Sequence, residues 1–222
     1  IGYYVLRALT AGSNNTAIGK DALMTNQIGD NNTALGYRTL ELNTGHNNTA
    51  VGYKALLKNT SAAAITGVGY QALAENTTGA ENTAVGANAL EKNTTGNANT
   101  ASGYNALNFN QTGHNNAATG YKALRNNTTG TANTANGSRA LENNTTGNEN
   151  TALGSSALEK NNNGTHNTAT GHDALRDNSS GSQNTAIGHN ALKLSTTAST
   201  NTAIGKDALT LNITGAYNTA TG

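Results

Sequence analysis

Several things are missing from this 222-residue chain. It has no cysteine, no proline and no tryptophan, and a single phenylalanine. Without cysteine there is no disulfide scaffold, no thiolate metal centre and no thiol chemistry. Charged residues make up 11% and the net charge is about +1, which excludes a strongly basic nucleic-acid binder and an acidic tail. No apolar run approaches the ~20 residues that span a bilayer, so no membrane insertion is expected in this segment. The opening Ile1–Leu9 is apolar but carries neither a basic leader nor a cleavage site, and it does not read as a signal peptide. Hydrophobic residues reach only 35% and aromatic ones 4%. Composition alone would suggest disorder, but low net charge and regular spacing speak against it.

What fills the chain is Asn, Thr, Gly and Ala in a repeat. The Gly of an Asn-Thr-Ala-x-Gly phrase recurs from Gly2, Gly19 and Gly36 through Gly205 and Gly222, always 17 residues apart except from Gly36 to Gly52, where the step is 16. The ideal unit reads N-T-A-x-G-x-x-A-L-x-x-N-T-T-G-x-x, and thirteen units fill residues 1–222 as one continuous array. No capping repeat is visible, and the piece is expected to belong to a longer fibre.

Each column of the repeat has its own rule. Leu stands four residues after all thirteen Gly anchors that begin a unit, from Leu6 and Leu23 to Leu209. Ala precedes it in all but two units, where Val5 and Thr39 stand instead. Ala also stands two before the anchor, with Gly67 the exception, and Asn four before, with Ile65 the exception. Fixed side-chain size at fixed spacing means that every unit meets copies of itself. Seventeen residues are too few for a helix pair, and there is no 3.6-residue period. The expectation is an all-β, parallel β-solenoid, or β-roll, of about 13 rungs. Each rung would have two short strands, "NTAxG" and "ALxxN", joined by Asn- and Gly-rich turns. At ~4.8 Å per rung, thirteen rungs give a rod of roughly 60 Å.

Strict alternation would put Leu and its preceding Ala on opposite faces, with a corner that breaks alternation as the other option. The column just before the anchor holds Leu35, Val51, Val68 and Val85, then Ser102, Thr119 and Asn136. If it faces outward, an aliphatic stripe needs a partner, and a homo-oligomer is expected. The short unit before Gly52, and the "NTSAAAITG" unit that lacks both the turn Gly and an Asn, mark residues 45–67 as the weakest rungs.

At this point "NTAIGKDAL", which occurs at Asn15–Leu23 and again at Asn201–Leu209, resembles the "SVAIG"-type repeats of trimeric autotransporter adhesin (YadA-like) heads. "ALEKNTTGNANTASGYNAL" (Ala89–Leu107) resembles the Asn/Thr/Gly repeats of tail-fibre-like proteins that precede an endosialidase-type chaperone domain. The head family implies a left-handed parallel β-roll, three chains per fibre and surface attachment. Its repeats run about 14–15 residues and favour Val where Thr stands here.

Little in the chain points to chemistry. His46, His114 and His166 fall at scattered offsets, whereas His172 and His189 share the column after the anchor. The column five past the anchor predicts Arg125–Glu142 and Glu159–Arg176 ion pairs that set register and solubility. Phosphate-loop and calcium-repeat motifs are absent. No cofactor and no enzyme activity are expected.

Two candidate sites remain. Tyr37, Tyr53, Tyr70, Tyr104 and Tyr121 share the column after the anchor, a stripe for a glycan or a neighbouring chain. Asn76, Asn93, Asn126, Asn143 and Asn178 lie in glycosylation sequons within the turns, as do Asn127 and Asn144. The expected function is a structural or adhesive extracellular fibre segment: a rigid shaft, filament or adhesin head on a bacterial or phage surface. It would act through self-association as a homotrimer or filament and through contact with cell-surface glycans, without nucleic acid. The alternative is an ice-binding solenoid using stacked Thr columns.

Overall fold

The computed structural model describes every residue from Ile1 to Gly222. The chain forms two compact units, Ile1–Gly113 and His114–Gly222. Each is a parallel β-solenoid without helices. The first unit carries β1 (Thr16–Ile18), β2 (Thr33–Leu35), β3 (Thr49–Val51), β4 (Thr66–Val68), β5 (Thr83–Val85) and β6 (Thr100–Ser102). The second carries β7 (Ala117–Thr119), β8 (Thr134–Asn136), β9 (Thr151–Leu153), β10 (Thr168–Thr170), β11 (Thr185–Ile187), β12 (Thr202–Ile204) and β13 (Thr219–Thr221). Within each unit successive strands pair in parallel with Thr opposite Thr and Ala opposite Ala, as in Thr16↔Thr33 and Ala169↔Ala186. The 16-residue step keeps this register, because Thr33 still pairs with Thr49 and Leu35 with Val51.

One strand forms per rung, not two. The "ALxxN" segment is not extended, because its Leu adopts a left-handed backbone: Leu23 has φ 49°, Leu90 50° and Leu175 50°. Left-handed φ is costly for a residue with a branched side chain and persists only where the surroundings impose it. Here the stack imposes it. The Asp21 N–H donates to Tyr3 O on the preceding rung (2.9 Å), whereas the Leu23 N–H donates to Thr39 O on the following rung (3.0 Å). Reversing the direction of the donor within two residues requires the backbone to change hand.

That reversal corrects the expected alternation. Ala22 and Leu23 both point inward and are fully buried, as are Ala89 and Leu90, and Ala174 and Leu175. The constant Ala is therefore small because it shares a thin core with the Leu and with the strand Ala (Ala34, Ala84, Ala169), and not because a neighbouring chain presses on it.

Two columns of asparagine complete the interior. In the first, the amide nitrogen of a regular rung donates to the Asn oxygen one rung back and to a turn carbonyl three residues on. Asn93 Nδ2 reaches Asn76 Oδ1 at 2.8 Å and Gly96 O at 3.0 Å, and Asn161 Nδ2 reaches Asn144 Oδ1 at 2.7 Å and Gly164 O at 3.0 Å. In the second, the Asn before each strand accepts the backbone N–H of its counterpart on the next rung: Asn99 N–H to Asn82 Oδ1 at 2.9 Å, Asn150 N–H to Asn133 Oδ1 at 3.0 Å. Away from the end rungs both columns are fully buried, and such ladders replace the apolar bulk that the sequence lacks. The shortened turn accommodates its deletion within the first column. Asn43 Nδ2 donates to Gly45 O two residues on, and Asn59 Nδ2 still reaches Asn43 Oδ1 at 2.6 Å.

Candidate interaction surfaces

The three-residue strands have one face in the core and one on the surface. Their middle Ala is buried, while the first and third residues are exposed or half-buried. The third residue is the column just before the anchor, and it does face outward. In the first unit Ile18, Leu35, Val51, Val68 and Val85 lie on five consecutive strands, with Ile18, Leu35 and Val85 more than 40% exposed. Beside this stripe runs the Thr column, Thr16, Thr33, Thr49, Thr66 and Thr83, whose hydroxyls make no hydrogen bond to the protein. The Thr residues of the turns differ. Thr77 Oγ1 donates to Thr94 O at 2.9 Å and Thr128 Oγ1 to Thr145 O at 2.9 Å, so these hydroxyls lock rung to rung.

The column after the anchor is an outer ladder of rings. Tyr37 and Tyr53 stack with centroids 5.4 Å apart and planes 17° apart; Tyr53 and Tyr70 do so at 5.2 Å and 7°. Lys20 and Lys54 ammonium groups lie 5.9 and 5.0 Å from the Tyr37 and Tyr53 ring centres, within cation–π range. Tyr104 and Tyr121 occupy the same column and are exposed, and Lys122 lies 5.0 Å from the Tyr121 ring. Stacking covers the ring faces within the run and leaves edges and hydroxyls to solvent. Tyr70, half exposed, ends its run because the next rung carries Ala87. His172 and His189 repeat the arrangement at 5.4 Å and 20°.

Charged side chains form short local groups. Arg176 turns to Asp177 (2.8 Å) and Asp173 (3.4 Å), and not to Glu159 as the column pattern predicts. Its guanidinium lies close enough in sequence to reach carboxylates on its own turn. Lys193 and Lys160 join the group at 2.8 Å from Asp173 and 2.9 Å from Asp177. Glu142 lies 3.7 Å from Arg139 and 4.0 Å from Lys122.

The sequon asparagines divide by burial. Asn76, Asn93 and Asn178 belong to the first Asn column: each is fully buried, and each amide nitrogen donates two hydrogen bonds. A glycan on any of them has to displace that column. Asn126 and Asn143 stand one residue earlier and point outward, Asn126 Nδ2 donating to Asn143 Oδ1 at 2.9 Å. The sequence signal that separates the two sets is column constancy. The buried position is almost always Asn, whereas the preceding one also holds Lys58, Glu75 and Lys92.

Compared with known proteins, the chain matches no family model and no curated protein.

Proposed function

We propose that this chain is a segment of an extracellular structural or adhesive fibre that self-associates side by side along its strand face. One observation carries the reading: five consecutive strands of the first unit present Ile18, Leu35, Val51, Val68 and Val85 as an uninterrupted aliphatic column. An apolar stripe of that length on a polar solenoid calls for a cover, and a second copy offers the same spacing. A homotrimer of the kind implied by the resemblance to autotransporter heads, held at a bacterial or virion surface, satisfies every stripe at once. Rung-to-rung hydrogen bonding resists extension, which suits a shaft. The Tyr column is the proposed contact for surface glycans, at the open ring face of Tyr70.

Sedimentation of the purified chain, together with electron microscopy, tests the proposal. Elongated oligomers are expected, and a Val68→Lys variant should dissociate them. A monomer at all concentrations sinks the reading.

A second reading rests on a different observation. The outward Thr column offers hydroxyls without internal partners at rung spacing, interrupted at Ala117, and β10 and β13 add a second Thr on the same face, Thr168 with Thr170 and Thr219 with Thr221. A regular hydroxyl column is what favours an ice-binding reading. Thermal hysteresis in the soluble protein separates the two readings, since a shaft produces none.

A further inference from the structure

Of the many asparagines in this chain, only Asn136 and Asn163 are followed by glycine. An Asn-Gly step is the one most open to attack by the following backbone nitrogen on the side-chain amide, because glycine has no Cβ to block the approach. The fold treats the two steps differently.

Asn136 ends β8, which is paired on both sides, with Thr119 of β7 and Leu153 of β9 as its neighbours. The Gly137 N–H donates to Thr119 O at 2.9 Å. Before that nitrogen can attack, it has to give up this bond and the strand has to unpair.

Asn163 lies in a turn, at a place where Thr129 and Thr146 stand on the two preceding rungs, and its exposed side chain makes no hydrogen bond. The Gly164 N–H is also unbonded. In an earlier turn the Gly29 N–H is held by Asn26 Oδ1 at 2.9 Å. Here the matching oxygen, Asn161 Oδ1, is engaged by Asn178 Nδ2 at 2.7 Å. The interior ladder thus leaves a free nitrogen beside a free amide. Gly164 is buried, but the attack comes from within the chain, and only the exposed Asn163 side has to admit water.

We infer that Asn163–Gly164 is a self-modification site of the folded chain, at which Asn163 deamidates and isomerises ahead of Asn136. The Gly164 nitrogen attacks the side-chain carbonyl carbon of Asn163 and loses its proton. Ammonia leaves with the electron pair of the broken C–N bond, and a succinimide ring remains. Water opens the ring at the side-chain carbonyl to give aspartate, or at the main-chain carbonyl to give isoaspartate. The second product lengthens the backbone by one methylene.

The turn has no slack for that methylene. Gly164 O accepts Asn150 Nδ2 at 2.8 Å and Asn161 Nδ2 at 3.0 Å, so one carbonyl serves both asparagine columns. A Cβ on Gly164 would lie 2.3 Å from Gly181 O on the next rung. Isoaspartate at 163 therefore displaces an acceptor that both columns use.

Ageing the folded protein in mildly alkaline buffer, followed by peptide mass spectrometry, tests the site. Asn163 should convert at least about tenfold faster than Asn136, because strand opening precedes reaction only at Asn136. In urea the two should convert at comparable rates. Asn163→Thr, which restores the residue of the preceding rungs, should leave only the slow conversion at Asn136. Equal rates in the folded protein, or an unreacted Asn163 after the unfolded chain has converted, overturn the inference. Hydrogen exchange then compares the isoaspartyl form with Asn163→Asp, which carries the same charge without the methylene. Faster exchange around 150 and 161–164 is expected in the isoaspartyl form alone, and identical exchange overturns the effect on the columns.

Discussion

Ser195 stands three residues before Ala198, and the two replace the Asn and Gly that occupy these places on the preceding rung, where Asn178 stands three before Gly181. A Cβ added to Gly181 would lie 2.4 Å from Asn178 Oδ1, and the same holds for Gly164 with Asn161 and Gly147 with Asn144. Ala198 already carries that Cβ, but Asn59 stands three residues before Ala62 and still donates to its carbonyl at 3.1 Å, so an Asn is accommodated beside an Ala at this place. The substitution has a cost: Asn178 Oδ1 and Ser195 Oγ are both buried without a hydrogen-bond partner.

Restoring the pair together should therefore stabilise the protein. The double variant Ser195→Asn/Ala198→Gly is expected to gain about 1–3 kcal/mol by returning a donor to Asn178 Oδ1. Ser195→Asn alone should keep most of that gain, because Asn59 holds its ladder bonds beside Ala62. Denaturation of the two single variants and the double variant measures each contribution, and a loss of stability in Ser195→Asn contradicts the missing-donor argument.

The Asp173–Asp177 group predicts an acid-side loss of stability. Hydrogen bonds from Arg176 hold the Asp177 carboxyl below the usual carboxylate range, against burial, which raises it; Lys160 adds to the lowering. For Asp173 burial pushes upward, but the Lys193 hydrogen bond and the charges of His172, Lys193 and Arg176 outweigh it, and the net shift is again downward. A carboxylate whose pKa is depressed by folding contributes stability at pH values above its unfolded value of ~3.9, and that contribution is lost as pH falls through the folded value. The melting temperature should be flat near neutrality and fall below about pH 4. In Asp173→Asn/Asp177→Asn the protein should be less stable at pH 7, with a shallower fall in acid.

The Gly anchors should tolerate nothing larger. Gly154 has φ +134°, and a Cβ there would lie 2.6 Å from the backbone oxygen of Gly171 on the next rung. Strain and a backbone clash act together, so Gly154→Ala should cost at least about 3 kcal/mol. Ser155→Ala, next to it and exposed, should change stability by less than about 0.5 kcal/mol. Comparable losses for the two would remove the anchor's special status.

The columns themselves are legible in the sequence, in their period and in the constant size of the Leu and Ala positions, whereas the direction of the residue before each anchor is settled only by the strand geometry. The second half of the rung is not. "ALxxN" has the size alternation of a strand, and Leu is among the residues least expected at positive φ. Only stacking against identical rungs, which no local propensity reports, holds Leu23 or Leu175 there. The buried asparagines were hidden for a related reason. Asn reads as a turn former and a glycan acceptor, and Asn76 or Asn178 becomes an interior residue only because a second amide lies one rung away. The Arg176 pairing depends on side-chain reach within a turn, which column alignment does not encode.

The interior rungs around residues 45–67 should exchange their amide hydrogens fastest. Four departures from the repeat fall there. The turn at Asn43–Gly45 is one residue short, Ala62 replaces the turn Gly, and Ile65 replaces an Asn of the second column. Ile65 is almost fully buried, and its N–H still donates to Asn48 Oδ1 at 3.1 Å. Having no side-chain oxygen, it offers nothing to Asn82 N–H on the next rung, where Asn99 and Asn150 each find an acceptor. Gly67 replaces the strand Ala beside it and removes one methyl group next to Leu56, although buried Ile65 returns apolar volume. A rung with a shortened turn and one ladder bond fewer opens at lower free energy than its neighbours. Hydrogen exchange resolved by peptide should therefore show lower protection for 45–67 than for 117–187, where the buried Asn, Ala and Leu columns and the turn Gly run without interruption. Equal protection across both segments would mean that cooperativity along the stack, and not the local rung, sets the opening energy.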